Sequence, residues 1–187
     1  MPENYTEDYM RVITGSARGM VLRTLEGNDV RPTTDKVKEA VFSAIQFEIE
    51  GRRILDLFAG SGQLGIEALS RGAESAVFID SDKNAVKIIK ENLAKTKLDS
   101  LASVAQTDSI AFLSMTDRVF DVAFLDPPYG KGLLQKALSK IGEHIAEGGI
   151  VICEHPFGEE LEDETGGLVK QKEYKYSKVA VTLYRKV

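Results

Sequence analysis

The stretch that decides the fold is "RILDLFAGSGQLGIEALSRG", Arg53 to Gly72. "RILDLFA" is a short apolar run with the look of a buried strand, and "GQLGIEALSRG" has helical spacing and a glycine stop at Gly72. Between them lies a loop that places Gly60, Gly62 and Gly65 in the order G-x-G-x-x-G. Glycines there let the backbone come close to a ligand, and an acid about 20 residues further on, here Asp80, can hold a ribose diol. The pattern is a dinucleotide fingerprint, and a tight βα turn with ordinary caps reads the same way. Asp56 lies outside the fingerprint, within the strand, where a carboxylate attracts a cationic amino group.

Outward from this unit the pattern repeats. "SAVFID", "LASVAQTD", "FDVAFLD" and "GIVICEH" read as strands. "SDKNAVKIIKENLAKT", with Ser81 or Asp82 as cap, "SIAFLSM" and "GLLQKALSKIGEHIAEGG" read as helices between them. Upstream, "TTDKVKEAVFSAIQFEIEG" carries apolar residues at helical spacing, with Thr34 or Asp35 as its cap and Gly51 as its stop. Alternating strands and helices predict an α/β, doubly wound, mostly parallel Rossmann-like sheet of seven strands. "LVKQKEYKYSKVAVTLYRKV" alternates and bends near Tyr176-Ser177, which predicts a C-terminal antiparallel hairpin. "RVITG" and "MVLRTL" predict a short N-terminal β extension. The expected organisation is a polar extension over 1–9, a basic β-rich arm over 10–31, and the main domain over 32–187.

At 187 residues, 43% hydrophobic and 28% charged, the chain suits one globular domain. No apolar run approaches the ~20 residues of a membrane span. The start, "MPENYTEDYM", is polar and acidic, so neither a signal nor a transit peptide is expected. The single cysteine, Cys153, falls in a strand and reads as a buried, inert thiol, which with its lack of a partner suggests a cytoplasmic setting. Two histidines and one cysteine make a poor metal-ligand set, so no metal is expected. His144 reads as a helix-surface residue and His155 as structural. The net charge of −5 conceals basic ends: Arg11, Arg18 and Arg23 near the start, and six lysines and arginines against Glu173 alone over 170–187. "EELEDE", Glu159 to Glu164, reads as a solvated loop.

Ligands of open α/β sheets bind beyond the carboxyl ends of the strands. Asp56, Asp80, Asp108 and Asp126 lie at four such ends. Asp108 can accept from an adenine amino group, with an amide near Ser109 reading a ring nitrogen, and it can equally cap the helix that follows. The fourth end is "DPPYGKG", Asp126 to Gly132. An exocyclic amine on a base is a poor nucleophile because its lone pair is delocalised into the ring. The Asp126 carboxylate and the Pro127 carbonyl can each accept one of its N–H groups, the prolines stiffen that arrangement, and Tyr129 can stack on the base.

"DLFAGSG", the acids after strands two and three, and "DPPY" resemble class I S-adenosylmethionine-dependent methyltransferases that act on amines. Residues 10–187 more narrowly resemble the RsmD family, through "MRVITGSARG", "RPTTDKVKEAVF" and "LDLFAGSGQLGIEALSRGA". That family methylates the N2 amine of one guanine in 16S ribosomal RNA. The resemblance implies a cofactor cradle of Asp56, Phe58, Gly60 and Gly62, with Asp80 and Ser81 at the ribose and Asp108 and Ser109 at the adenine. It places Arg31, Thr33 and Thr34 over the methionine carboxylate, and Asp126, Pro127 and Tyr129 around the guanine. Arg11, Arg18, Arg23 and Lys131 are the expected RNA contacts, with the arm beside Tyr129. The implied partner is 16S rRNA or the small ribosomal subunit, with no membrane and no obligate protein partner, and the chain is expected to act as a monomer. Residues 1–9 precede the family's usual start, and the family often has Tyr-Gly where this chain has Tyr176-Ser177. Three rivals share some of these features. They are a DNA adenine-N6 methyltransferase, which also uses "DPPY", an NAD-dependent oxidoreductase, which leaves "DPPY" unexplained, and a nucleotide-binding module without catalysis.

Overall fold

The computed structural model describes residues 10–26 and 35–187. Eight strands form one sheet: β1 (Arg53–Asp56), β2 (Ser75–Asp80), β3 (Ala102–Gln106), β4 (Phe120–Leu125), β5 (Ile145–Pro156), β6 (Glu164–Thr165), β7 (Leu168–Tyr176) and β8 (Val179–Lys186). Their order is β3-β2-β1-β4-β5-β8-β7-β6. β1 to β5 run parallel, and β8, β7 and β6 continue the sheet antiparallel. The helices are α1 (Asp35–Ala44), α2 (Gln63–Ser70), α3 (Lys83–Thr96), α4 (Ser109–Met115) and α5 (Leu133–Ile141). None of them is long and apolar enough to cross a membrane.

Alternate residues along each strand face opposite sides, so two cores form. Ile54, Phe78, Val122, Phe124 and Ile152 pack with Val41 and Phe42 of α1, Ile66 of α2 and Ile89 of α3. Leu55, Val77, Ala123, Val151 and Cys153 pack with Leu113 of α4 and Leu134, Leu138 and Ile141 of α5. The sheet is thus covered on both faces, as the repeated βα pattern predicts.

The structure departs from the sequence reading at four places. The eighth strand, β6, arises inside the acidic "EELEDE" loop because Gly166 and Gly167, at φ 56° and 77°, make a two-residue hairpin turn onto β7. Helix α5 stops at Ile141 rather than running to Gly149, and a one-turn 3₁₀ helix leads straight into β5. The residues between Ile145 and Ile150 bulge out of the ladder, since Phe120 pairs with Ile145 and Val122 already with Ile150. His144 consequently lies half-buried in the 3₁₀ turn, its Nε2 2.8 Å from the Leu113 carbonyl of α4, and not on a helix surface.

The fourth departure is the arm. In place of a β hairpin, residues 10–26 make one bridge, Arg11 with Val21. Buried side chains supply what a partner strand would have given. Glu67 of α2 accepts from the amides of Ile13 (2.9 Å) and Thr14 (3.0 Å). The Ser70 hydroxyl accepts from Ala17 and donates to the Thr14 carbonyl. Asn92 of α3 accepts from the Arg23 amide and donates to its carbonyl. Gly15 lies so close to the end of α2 that a Cβ there would stand 1.7 Å from the Ser70 carbonyl oxygen. At the other end of the chain, the β7–β8 turn holds Ser177 at a left-handed φ of 40°, where a glycine would be relaxed.

Candidate active site

Four strand ends converge on the upper edge of the parallel sheet. Past β1, the chain forms a loop tied to both neighbours. The Leu57 amide donates to the Phe124 carbonyl of β4 (3.1 Å), and the Ala59 amide to the Ile79 carbonyl of β2 (2.9 Å). Gly60 and Gly62 have φ of 58° and 82°, and a Cβ at Gly60 would meet nothing within 4 Å. Open space therefore lies against the loop backbone. Gly65 serves packing instead, since a Cβ there would stand 2.3 Å from the Phe78 ring.

The acids of this edge are held by the loop itself. Asp56 is 2% exposed, and its Oδ2 accepts from the Gly65 amide at 3.0 Å. Burial pushes its pKa up to about 7; the Gly65 amide works against that rise and the nearby Asp80 adds to it. Asp80 sits between the loop and α3: Oδ2 accepts from the Gly60 amide at 2.8 Å and Oδ1 from the Asp82 amide at 2.9 Å. Its pKa too is raised, chiefly by burial, against the pull of those amides. A carboxylate has about four lone-pair sites, so Asp80 retains capacity for hydroxyl donors. Ser81 is exposed, and its carbonyl accepts weakly from Gln106 at 3.4 Å. Asp108 caps α4 by accepting from the Ala111 amide at 2.8 Å, so the capping reading holds at this residue. Ser109, buried, donates to the Leu57 carbonyl at 2.7 Å and ties α4 to the end of β1. Phe58 is half-buried against the α4–α5 core.

Asp126 follows β4 directly, one strand over from the glycine loop. A depression lined by Leu64, Phe124, Asp126, Ile152 and Glu154 lies at this point. A second, lined by Pro127, Tyr129, Gly130, His155 and Pro156, continues from it towards the end of β5. His155 is 1% exposed with Nε2 2.8 Å from the Thr182 hydroxyl, a structural contact. Cys153 is fully buried, and burial pushes its thiol pKa upward.

The structure therefore brings Asp56, Phe58, Gly60, Gly62, Asp80, Ser109 and Asp126 to one edge. Arg31, Thr33 and Thr34 lie outside the described residues. The arm starts at that edge, with Met10 Sδ 3.4 Å from the Ser61 hydroxyl, and then runs away from it. Gly15 to Ala17 touch Ser70, the last residue of α2, so the Arg18 turn lies about 12 Å, one helix length, from the glycine loop. Arg23 is paired with Glu91 at 2.6 Å. The arm packs on the α1–α3 face and returns to the loop at Arg23, whose carbonyl shares the Asn92 amide with the Ser61 carbonyl; Arg11 directly follows Met10.

Several polar residues escaped the sequence reading. Lys38 and Glu67 are both fully buried, 3.7 Å apart, and the Lys38 ammonium donates to the Arg11 carbonyl at 2.6 Å. Burial lowers the pKa of Lys38, against the opposing pull of Glu67. A lone glutamate inside the apolar "QLGIEALS" was a visible signal for Glu67; Lys38 left none. Glu154, 9% exposed beside Asp126, was hidden in a strand.

The sheet order, the glycine loop after β1, the acid closing β2 and the Asp-Pro-Pro-Tyr turn after β4 define a class I methyltransferase, which uses S-adenosylmethionine. The open backbone at Gly60, the spare acceptors of Asp80 and the buried carboxyl of Asp56, which a facing ammonium would favour in its ionised form, fit that cofactor's sulfonium amino acid and ribose. Over residues 10–185 the chain matches the family model described as "Conserved hypothetical protein 95", and it belongs to that family. It is 42% identical over 182 residues to the putative rRNA methyltransferase YlbH of Bacillus subtilis, covering 95% of this chain and 99% of that protein. It is 30% identical over 187 residues to ribosomal RNA small subunit methyltransferase D of Escherichia coli, covering 99% and 94%. The solved structure of the putative methyltransferase yhhF from Escherichia coli superposes with a TM-score of 0.86 at 32% identity, covering 95% of this chain and 98% of that one.

Proposed function

We propose that this protein methylates the exocyclic N2 amine of a guanine in small-subunit ribosomal RNA. The observation that carries the reading is the position of Asp126-Pro127-Pro128-Tyr129: it begins where β4 ends, on the strand next to the glycine loop. The near full-length likeness to proteins named as rRNA methyltransferases supports the RNA substrate.

S-adenosylmethionine, when bound, supplies a methyl group on a positively charged sulfur. Asp56 would hold its ammonium, Asp80 and Ser81 its ribose, and Asp108 with Ser109 its adenine; Arg31, Thr33 and Thr34, outside the described residues, are the residues the family resemblance assigns to its carboxylate. Asp126 and the Pro127 carbonyl each accept one N–H of the guanine amine. That draws the nitrogen lone pair out of conjugation and aims it at the methyl carbon, and Tyr129 stacks on the base plane. Asp126 is the group that takes the proton the nitrogen sheds. Two exposed basic residues near this edge, Arg11 and Lys131, meet RNA phosphates.

The test is incubation with methyl-labelled cofactor and, in separate reactions, small subunits or naked 16S rRNA that lack the modification and unmethylated DNA, followed by mapping of the label. The expected product is a single N2-methylguanine. Label in adenine of DNA, or no transfer by protein that binds the cofactor, would overturn the reading.

A further inference from the structure

At the outer side of the same edge, an exposed phenylalanine stands among lysines. Phe157 follows β5 and is 55% exposed, although it is a large apolar side chain in a chain that buries most of them. The ladder fixes what lies next to it. Pro156 pairs with Val179, and Tyr176 pairs with Val179 across the hairpin, so the β7–β8 turn rises at the end of β5. The Phe157 amide donates to the Lys178 carbonyl at 3.0 Å, and Lys175 Nζ stands 5.7 Å from the centre of the Phe157 ring. Leu125 of β4 pairs with Cys153, which places both Asp126 and Pro156 beyond the carboxyl edge. The depression lined by Tyr129 and Pro156 joins them.

We infer that Phe157, with Lys175 and Lys178, forms a binding surface for the single-stranded RNA that flanks the target base. This deepens the proposed function and rests on its rRNA substrate. An aromatic face accepts any unstacked base, and lysines around it neutralise backbone phosphates, which is the recurrent chemistry of single-strand recognition. Charge favours RNA over a protein partner. Lys131, Lys175 and Lys178 are all exposed on this rim. Of the acids nearby, Glu159 takes a hydrogen bond from Gln135 and Glu173 pairs with Lys175 at 3.7 Å; Glu160 is exposed on the same loop. Phe157 packs into neither core, so the fold does not require its ring. A base flipped onto Tyr129 leaves its neighbours unstacked, and Phe157 directly follows Pro156, which lines the same depression as Tyr129.

The test compares Phe157→Ala, Phe157→Leu, Phe157→Tyr and the double variant Lys175→Ala/Lys178→Ala with wild type. Methyl transfer to naked 16S rRNA and to small subunits is measured together with binding of a 16S fragment over a range of salt. Loss of one base stack should weaken RNA binding about 5- to 100-fold in the alanine and leucine variants, raising KM for rRNA with cofactor affinity unchanged. Tyrosine should restore it. The lysine pair should flatten the log–log salt slope by at least about 0.7, the phosphate that Lys178 meets, since Lys175 is paired with Glu173. Wild-type KM and salt slope in the alanine and double variants would overturn the surface. A defect on assembled subunits alone, with naked rRNA unaffected, would also overturn it and point to a ribosomal protein. If wild type transfers no methyl to rRNA, the proposed function fails, and the binding arm still decides the surface: sensitivity to Phe157 supports it, and absence of RNA binding refutes it.

Discussion

Replacing Asp56 by asparagine should change stability and ligand binding in opposite directions. The carboxylate is 2% exposed, and the Gly65 amide donates to it at 3.0 Å. Its pKa is pushed up to about 7 from an ordinary 3.8, a rise of about 3 units, or about 4 kcal/mol. Below about pH 4 the group is protonated folded and unfolded, and the rise has no effect on stability. Between about pH 4 and 7 the unfolded chain releases a proton that the folded chain keeps, so stability falls by up to about 4 kcal/mol. Above pH 7 the loss levels off. Asp80, raised in the same direction, tilts the profile the same way. Asparagine keeps an oxygen for Gly65 and removes the charge. Its own cost of burial does not vary with pH, so the difference between the two proteins should shift by about 4 kcal/mol in favour of Asp56→Asn from pH 4 to 8. Urea unfolding at five pH values measures this. Parallel curves would refute the argument that Asp56 is a buried carboxylate at the cost of the fold.

The same group should work the other way once a ligand ammonium faces it. An ionised Asp56 is then favoured, so binding of S-adenosylhomocysteine releases a proton at pH 5 to 7. Affinity should rise with pH, up to tenfold per unit, and level near pH 7. Calorimetry in two buffers of different ionisation enthalpy reads the proton directly. Asp56→Asn should bind more weakly and release none from this position. A variant with wild-type affinity and proton release would put the ammonium elsewhere.

Asp126→Ala should lose at least ~100-fold in kcat while cofactor affinity, by calorimetry, stays the same, because the lost acceptor acts on the reacting amine. Near-normal turnover would remove Asp126 from the chemistry. Lys38→Met should destabilise the protein by about 3 kcal/mol, the usual cost of stripping one partner from a buried pair, and speed amide exchange at Ile13 and Thr14; unchanged exchange would mean that Glu67 holds the arm without it. Replacing Arg11, Arg18 and Arg23 together by alanine should flatten the salt dependence of RNA binding by about 0.7, one phosphate, since Arg23 is paired with Glu91 and Arg18 lies at the far end of α2. A change near 2 would put all three on phosphates.

The alternation of strands and helices, and with it the doubly wound sheet, was legible because each core-facing run keeps its period locally. The strand-end acids were legible for the same reason: a residue that closes a strand is fixed by the strand. What failed were features decided by distant partners. "RVITG" and "MVLRTL" have the composition of strands, yet their amides are claimed by side chains 53 to 69 residues away. "AEGG" continues a helical pattern up to a bulge that only the register of β4 against β5 imposes.

Asn92 marks where legibility ends and why it matters for the site. In "KNAVKIIKENLAKT" it falls on the apolar stripe of Ala85, Ile88, Ile89, Leu93 and Thr96, so its burial was readable from spacing alone. Its partners were not. The Asn92 amide donates both to the Arg23 carbonyl of the arm and to the Ser61 carbonyl of the glycine loop, each at 2.9 Å, while its oxygen takes the Arg23 amide at 2.8 Å. One buried side chain therefore fixes the loop that must meet the cofactor and the arm that runs from beside it. An unpaired amide or carbonyl at that depth is costly, so neither segment can shift unless the other gives up its hydrogen bond. Through Asn92 the arm is thus coupled to the glycine loop whatever its arginines meet.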